Sequence, residues 1–219
     1  MLCIYCGERE ADTDDHVVAE GFFDAAPEGG YIKAPACYDC NNKRYSRDEE
    51  YFLVAILAQA TATSPTANRV LDRLAADHRS GRRRRIGLAV SLLEKVRPVE
   101  GHSPGGIYMG TGPGLEFDTD RVNRVLEKIV RGLFFHRFQR ALPPDARVVV
   151  EMKPEPEHLR SPLVAAALAQ SPSFLGDVFM HRVYTLPENP NCTSWALGFY
   201  DAVLAIAMTG PPKVGREVM

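Results

Sequence analysis

Apolar residues recur at three- and four-residue steps along one segment of this chain more clearly than anywhere else. Val122, Val125, Leu126, Ile129, Val130, Leu133 and Phe134 predict a helix near 119-141 with one buried face, beginning near Asp118 to Asp120. Weaker patterns predict helices from about Arg47 through Gln59 and from Thr66 to His78, while Arg85 to Lys95 reads as helix or strand. Gly101 to Gly114 is rich in glycine and reads as a loop or hairpin; its glycines neither follow a strong strand nor open a helix, so turn chemistry explains them and a nucleotide-binding fingerprint does not. Beyond Pro143-Pro144 the pattern changes. Arg147 to Met152, Val178 to Thr185 and Thr193 to Tyr200 read as strands, Asp201 to Met208 as a further strand or short helix, and Ser161 to Gln170 as a helix among them. The expected class is α+β, with C-terminal antiparallel strands. No repeat is present, and the residues from Gly210-Pro211-Pro212 onward read as a loose tail.

The chemistry is concentrated in the first fifty residues. Cys3-Ile4-Tyr5-Cys6 and Cys37-Tyr38-Asp39-Cys40 bracket an Asp15-His16 dipeptide, and the second pair runs directly into Asn41-Asn42-Lys43. Four thiolates supplied as two such knuckles enclose Zn²⁺ tetrahedrally, at about 2.3 Å per Zn–S bond. The span between the knuckles must itself fold, as a hairpin and loop. Disulfides are the alternative for any four cysteines, but Met1-Leu2-Cys3 leaves no room for a signal peptide, so a reducing, cytoplasmic setting is expected. The fifth cysteine, Cys192, reads as a small buried hydrophobe.

Zinc held by four thiolates has no open position, so it holds the fold and cannot activate water. Reaction chemistry must come from Asp15, His16 and Asn41. Asp and Asn offer hard oxygens suited to Mg²⁺ or Mn²⁺, and an imidazole that titrates near neutrality can take a proton from water. Each residue also has a plainer account. His16 beside Val17 and Val18 can be a packed ring, Asp15 can belong to a solvated turn in Asp12-Thr13-Asp14-Asp15, and Asn41 can cap a following helix.

Taken together, these residues resemble the His-Asn-His (HNH) endonuclease superfamily with its ββα-metal, or treble-clef, fold. They are most similar to its endonuclease VII-like variant, in which an Asp-His pair lies between two zinc knuckles and an Asn follows the last cysteine. The resemblance covers roughly residues 1-50. It implies that Cys3, Cys6, Cys37 and Cys40 bind structural zinc, that Asp15 and Asn41 hold a catalytic divalent ion, and that His16 is the general base. The implied function is metal-dependent endonuclease cleavage of DNA. The rival reading is a non-catalytic treble-clef adaptor that binds nucleic acid or protein.

Composition extends this picture past the zinc module. The chain of 219 residues, 45% hydrophobic, can bury a core larger than fifty residues supply. Two units are therefore expected: a module over 1-50 and an α+β domain over 51-219. No apolar run is long enough to span a bilayer. The formal net charge of −2 hides a partition: residues 1-50 hold 5 Lys/Arg against 12 Asp/Glu, and residues 69-140 hold 15 against 8. The acidic module alone would meet a polyanion poorly, so phosphate contacts are expected from the second domain. Candidates are Arg82, Arg83, Arg84 and Arg85, and the stripe on the 119-141 helix made by Arg121, Arg124, Lys128 and Arg131. Lys43 and Arg44 extend the set from the module. DNA is the expected partner, with RNA left open, and a homodimer is the simplest way for one site per chain to cut both strands. His136, within Phe134-Phe135-His136-Arg137-Phe138, is expected to be packed.

Overall fold

The computed structural model describes residues 1-79, 96-102 and 107-211, a mixed α+β chain with antiparallel sheets. The N-terminal stretch turns back on itself: Gly7 N–H donates to the Cys3 carbonyl, Cys3 N–H donates to the Arg9 carbonyl, and a bridge joins Leu2 to Glu10. Gly7 adopts φ +67°, and a Cβ there would lie 2.3 Å from Pro144 Cγ, so the turn requires glycine on both grounds. Strands β1 (Thr13–His16) and β2 (Lys33–Ala36) then pair antiparallel, with Asp15 opposite Ala34 and His16 opposite Lys33. This is the hairpin expected between the knuckles.

After Cys37 the chain enters a π-helical turn, Asp39–Tyr45, which continues as helix α1 (Ser46–Ala60). Helix α2 (Pro65–Arg79) follows; Ser64 Oγ accepts from the Ala67 N–H, and Pro65 opens the helix at the position proline tolerates. Strands β3 (Val96–His102) and β4 (Tyr108–Leu115) form a separate hairpin in the segment read as loop or hairpin. The periodic segment is helix α3 (Thr119–Phe138), with Asp118 accepting from the Arg121 N–H at its start and Gln139 in the left-handed region at its end. Strand β5 (Arg147–Met152), short helices α4 (Pro156–Leu159) and α5 (Pro162–Leu168), and strands β6 (Ser173–Leu175), β7 (Phe179–Thr185), β8 (Thr193–Phe199) and β9 (Val203–Gly210) complete the chain. The five strands form one antiparallel sheet in the order β5-β9-β8-β7-β6, with β6 at an edge.

Asp201 to Met208, left between strand and helix by its pattern, is strand β9. The short strand β6 was not foreseen. Within β8 every residue but Gly198 is buried, as befits a central strand covered on both faces. Trp195 is fully buried, its indole N–H donating to Thr193 Oγ1 at 2.6 Å.

One hydrophobic core runs from the cysteine-bearing segments into this sheet. An aromatic chain joins them: the Phe22 and Phe52 rings lie 5.6 Å apart, Phe52 and Phe199 5.3 Å, and Phe199 and Phe179 5.1 Å. Tyr200 Oη donates to the Phe22 carbonyl at 2.5 Å. The boundary expected at 50/51 falls inside α1, between residues whose neighbours pack into the same core.

Candidate functional site

The four cysteines meet. The Sγ atoms of Cys3, Cys6, Cys37 and Cys40 all lie within 4.8 Å of one another, and none is in a disulfide. Tetrahedral zinc with 2.3 Å bonds requires sulfurs about 3.8 Å apart; Cys6 and Cys37 are at 4.0 Å. The cluster fits a structural zinc. Burial raises the Cys6 thiol, but the backbone N–H groups of Glu8 and Arg9, with the Cys3 and Cys37 thiols, outweigh it and bring the group to about 7. Those N–H donors are what a zinc-bound thiolate needs around it. Cys3 and Cys40 are pushed up, chiefly by burial.

The knuckles clasp the hairpin to the π-helical turn. Asn41 lies on that turn, and its Nδ2 donates to Thr13 Oγ1 at 3.2 Å, while Thr13 Oγ1 donates to the Ala36 carbonyl. Asn41 thus bonds across the seam to β1 rather than capping a helix. The turn itself is notable because its wide i→i+5 geometry is uncommon and concentrates at functional sites.

Asp15 and His16 are neighbours in sequence, and strand alternation sends them to opposite faces. Asp15 faces inward, 3% exposed. Its Oδ2 accepts from Tyr5 Oη at 2.5 Å and from Lys128 Nζ at 2.7 Å. The Lys128 ammonium is fully buried and also contacts Glu49 Oε1 and, at 2.8 Å, the His16 carbonyl oxygen. Burial raises Glu49, with Lys128 opposing that rise. Tyr5 is held well above the usual range, by burial first and then by the Asp15 charge.

This arrangement does not fit a divalent ion at Asp15. Tyr5 and Lys128 both occupy Asp15 Oδ2, and a cation about 2.0 to 2.1 Å from the other oxygen would share the carboxylate with a buried ammonium, two like charges side by side. Asp15 and Asn41 both contact the inward face of the hairpin, but Asp15 has its cation from within the chain.

Several residues read as phosphate contacts have other partners. Lys128 is corrected outright, since an ammonium with no exposed surface cannot meet a strand of nucleic acid. Arg124 Nε donates to Asp48 Oδ2 at 2.8 Å and Arg121 Nε to Asp48 Oδ1 at 2.7 Å, and Arg121 also lies 4.2 Å over the Tyr51 ring. Arg131 is buried and donates to the carbonyls of Pro143, Pro144 and Ala146. The basic stripe therefore faces the acids of α1 and the following loop. Lys43 is exposed and paired with Asp39 at 2.6 Å, and Arg44 lies 5.1 Å from the Tyr45 ring centre. Both line an open cleft of about 660 Å³ beside Cys6 and Cys40. Arg82, Arg83, Arg84 and Arg85 lie outside the described residues.

His16 points to the outer face. Its half-buried ring lies 4.6 Å from the Tyr31 ring, and Lys33 stands opposite it across the hairpin. His136, expected to be packed, is exposed at the end of α3. Tyr5, Glu49 and Tyr31 were missed as parts of this region. Only contacts across ten or more residues place them here, and no local spacing signals them. No helix among the described residues is long and apolar enough to cross a membrane. No protein-family model matches this chain, and no curated protein or solved structure matches it.

Proposed function

We propose that the chain is a zinc-scaffolded endonuclease of the His-Asn-His type, hydrolysing phosphodiester bonds in DNA with His16 as general base. The observation that supports it is the placement of His16 on the outer face of the zinc-clasped hairpin, with a lysine directly opposite. An imidazole there can take a proton from water as that water attacks phosphorus. Lys33 can stabilise charge growing on the phosphate oxygens. Lys43, Arg44 and the arginines at 82-85 would hold the flanking backbone. No step is assigned to a divalent ion at Asp15, for the electrostatic reason given above. RNA as a substrate and a homodimer belong to the same proposal.

Plasmid incubated with the zinc-loaded protein, with Mg²⁺ or Mn²⁺ supplied or withheld, tests it. Wild type should nick the plasmid. His16→Ala should lose at least about 10²-fold in rate, with zinc content and circular dichroism unchanged. Equal cleavage by the two proteins ends this reading.

A second reading, a non-catalytic zinc adaptor, is favoured by one observation: the carboxylate that would bind a catalytic ion is neutralised by Lys128. Under it, wild type cuts nothing and His16→Ala binds its partner unchanged.

A further inference from the structure

We infer that Tyr5, inside the first cysteine knuckle, is a positioning residue for His16, acting through a chain of contacts from its hydroxyl to the Asp15 carboxylate, to the Lys128 ammonium and on to the His16 carbonyl. The inference rests on the reading of His16 as general base, and it adds that the knuckle, and not the hairpin alone, sets where that imidazole stands.

Each link is short. Tyr5 Oη donates to Asp15 Oδ2 at 2.5 Å, the same oxygen accepts from Lys128 Nζ at 2.7 Å, and Lys128 Nζ donates to the His16 carbonyl at 2.8 Å. Tyr5, Asp15 and Lys128 are all buried, so water does not compete for these groups and each bond is stronger than it would be at the surface. The hairpin leaves the His16 carbonyl open to this role. Val17 N–H donates to the Ile32 carbonyl at 2.9 Å, and the alternation of an antiparallel ladder then turns the His16 backbone groups away from β2. Lys128 meets the carbonyl there, while the His16 ring leaves the strand on the face opposite Asp15.

Tyr5 lies between Cys3 and Cys6, so its place is set by the metal-binding residues on either side of it. Its ring meets that of Tyr45 edge-on at 5.4 Å, and the Lys128 ammonium lies 5.9 Å from its centre. The knuckle's backbone tie to the hairpin, from Ile4 N–H to the Pro35 carbonyl, reaches β2. The Tyr5 hydroxyl reaches β1, one residue from His16. An ammonium has three N–H donors, and Lys128 directs its own to Asp15, Glu49 and the His16 carbonyl. A shift of Asp15 therefore moves the ammonium and the His16 backbone with it. A general base acts only within hydrogen-bond reach of the proton it takes, and a misplacement of about 1 Å can cost about 10²-fold in rate.

Nuclear magnetic resonance of the full zinc-loaded chain, isotope-labelled at histidine Cε1, tests the relay; of the six histidine signals, that of His16 is the one His16→Ala removes. Tyr5→Phe keeps the ring and loses only the hydroxyl. It should move the His16 signal and leave the other histidine signals in place, with zinc content unchanged, and in plasmid nicking it should lower kcat by about 10- to 10²-fold at unchanged KM. Asp15→Asn, which weakens the next link, should do the same and carries the test if Tyr5→Phe does not fold. Tyr45→Phe removes the neighbouring hydroxyl, which takes no part in the relay, and should change neither reading. A His16 signal that stays in place in both Tyr5→Phe and Asp15→Asn, one that moves equally in Tyr45→Phe, or a general shift of every histidine signal would each overturn the positioning role. Wild type that cuts nothing while its His16 signal responds to Tyr5→Phe removes the hydrolase reading alone; wild type that cuts, with kcat and the His16 signal both indifferent to Tyr5→Phe, removes the relay alone.

Discussion

At the scale of single residues, Lys128 carries the largest electrostatic consequence. Its ammonium is buried with two carboxylates, Asp15 and Glu49, and a backbone carbonyl, so each charge offsets the desolvation of the others. Removing only the lysine leaves two buried carboxylates facing each other. Lys128→Met should destabilise the protein by about 3-5 kcal/mol in urea unfolding at neutral pH, with a smaller loss in mild acid, where the carboxyls take up protons. A variant as stable as wild type would mean the cluster is held by packing alone. His181 makes a second residue-scale prediction. Its folded value of about 4 lies below the ordinary 6.5, so the neutral ring favours folding. That contribution is fully present above about 6.5 and is lost as pH falls through about 4. His181→Gln should flatten this part of a melting-temperature profile against pH, and an unchanged profile would assign the acid sensitivity to carboxylates instead.

At the scale of elements, α3 joins the hairpin between the cysteine knuckles to the sheet. Gly132 makes the close approach possible: a Cβ there would lie 2.6 Å from Val17 Cγ2, just beyond β1. Alanine gains about 1 kcal/mol of helix propensity, but the overpacking costs typically 1-3 kcal/mol. Gly132→Ala should therefore be neutral to destabilising in thermal melts, where an exposed helical glycine would respond with stabilisation. The amphipathic pattern of this helix was legible because its apolar residues repeat locally. Its second buried face was not, because Lys128 and Arg131 are polar in sequence and become interior only when acids and carbonyls from distant segments surround them.

At the scale of the whole molecule, opposite charges in the two halves meet within the fold. Asp48 binds Arg121 and Arg124, Asp15 and Glu49 bind Lys128, and Asp24 binds Arg69. The charge partition read as a division between scaffold and phosphate-binding domain thus serves, in good part, to dock one on the other. With a shared core as well, zinc should be coupled to the stability of the entire chain. Stripping it with a strong chelator, or introducing Cys37→Ser, should lower the melting temperature of one cooperative transition in calorimetry. Two transitions, with only the smaller shifted, would restore the picture of independent units. A fragment starting at residue 51 should be poorly soluble, since it exposes Phe52 and Phe199 where Phe22 had covered them.

The sequence by itself determined the four-cysteine cluster, the hairpin between its knuckles, and most helices and strands. These depend on spacings of two to four residues, which local geometry converts directly into a turn, a face or a pleat. Only the tertiary structure decided that Asp15 takes a lysine from 113 residues away, that Asn41 bonds to β1, and that His16 lies against the Tyr31 ring. Such pairings depend on which segments the folded core brings together, and the identity of a side chain does not say which partner the fold will place beside it.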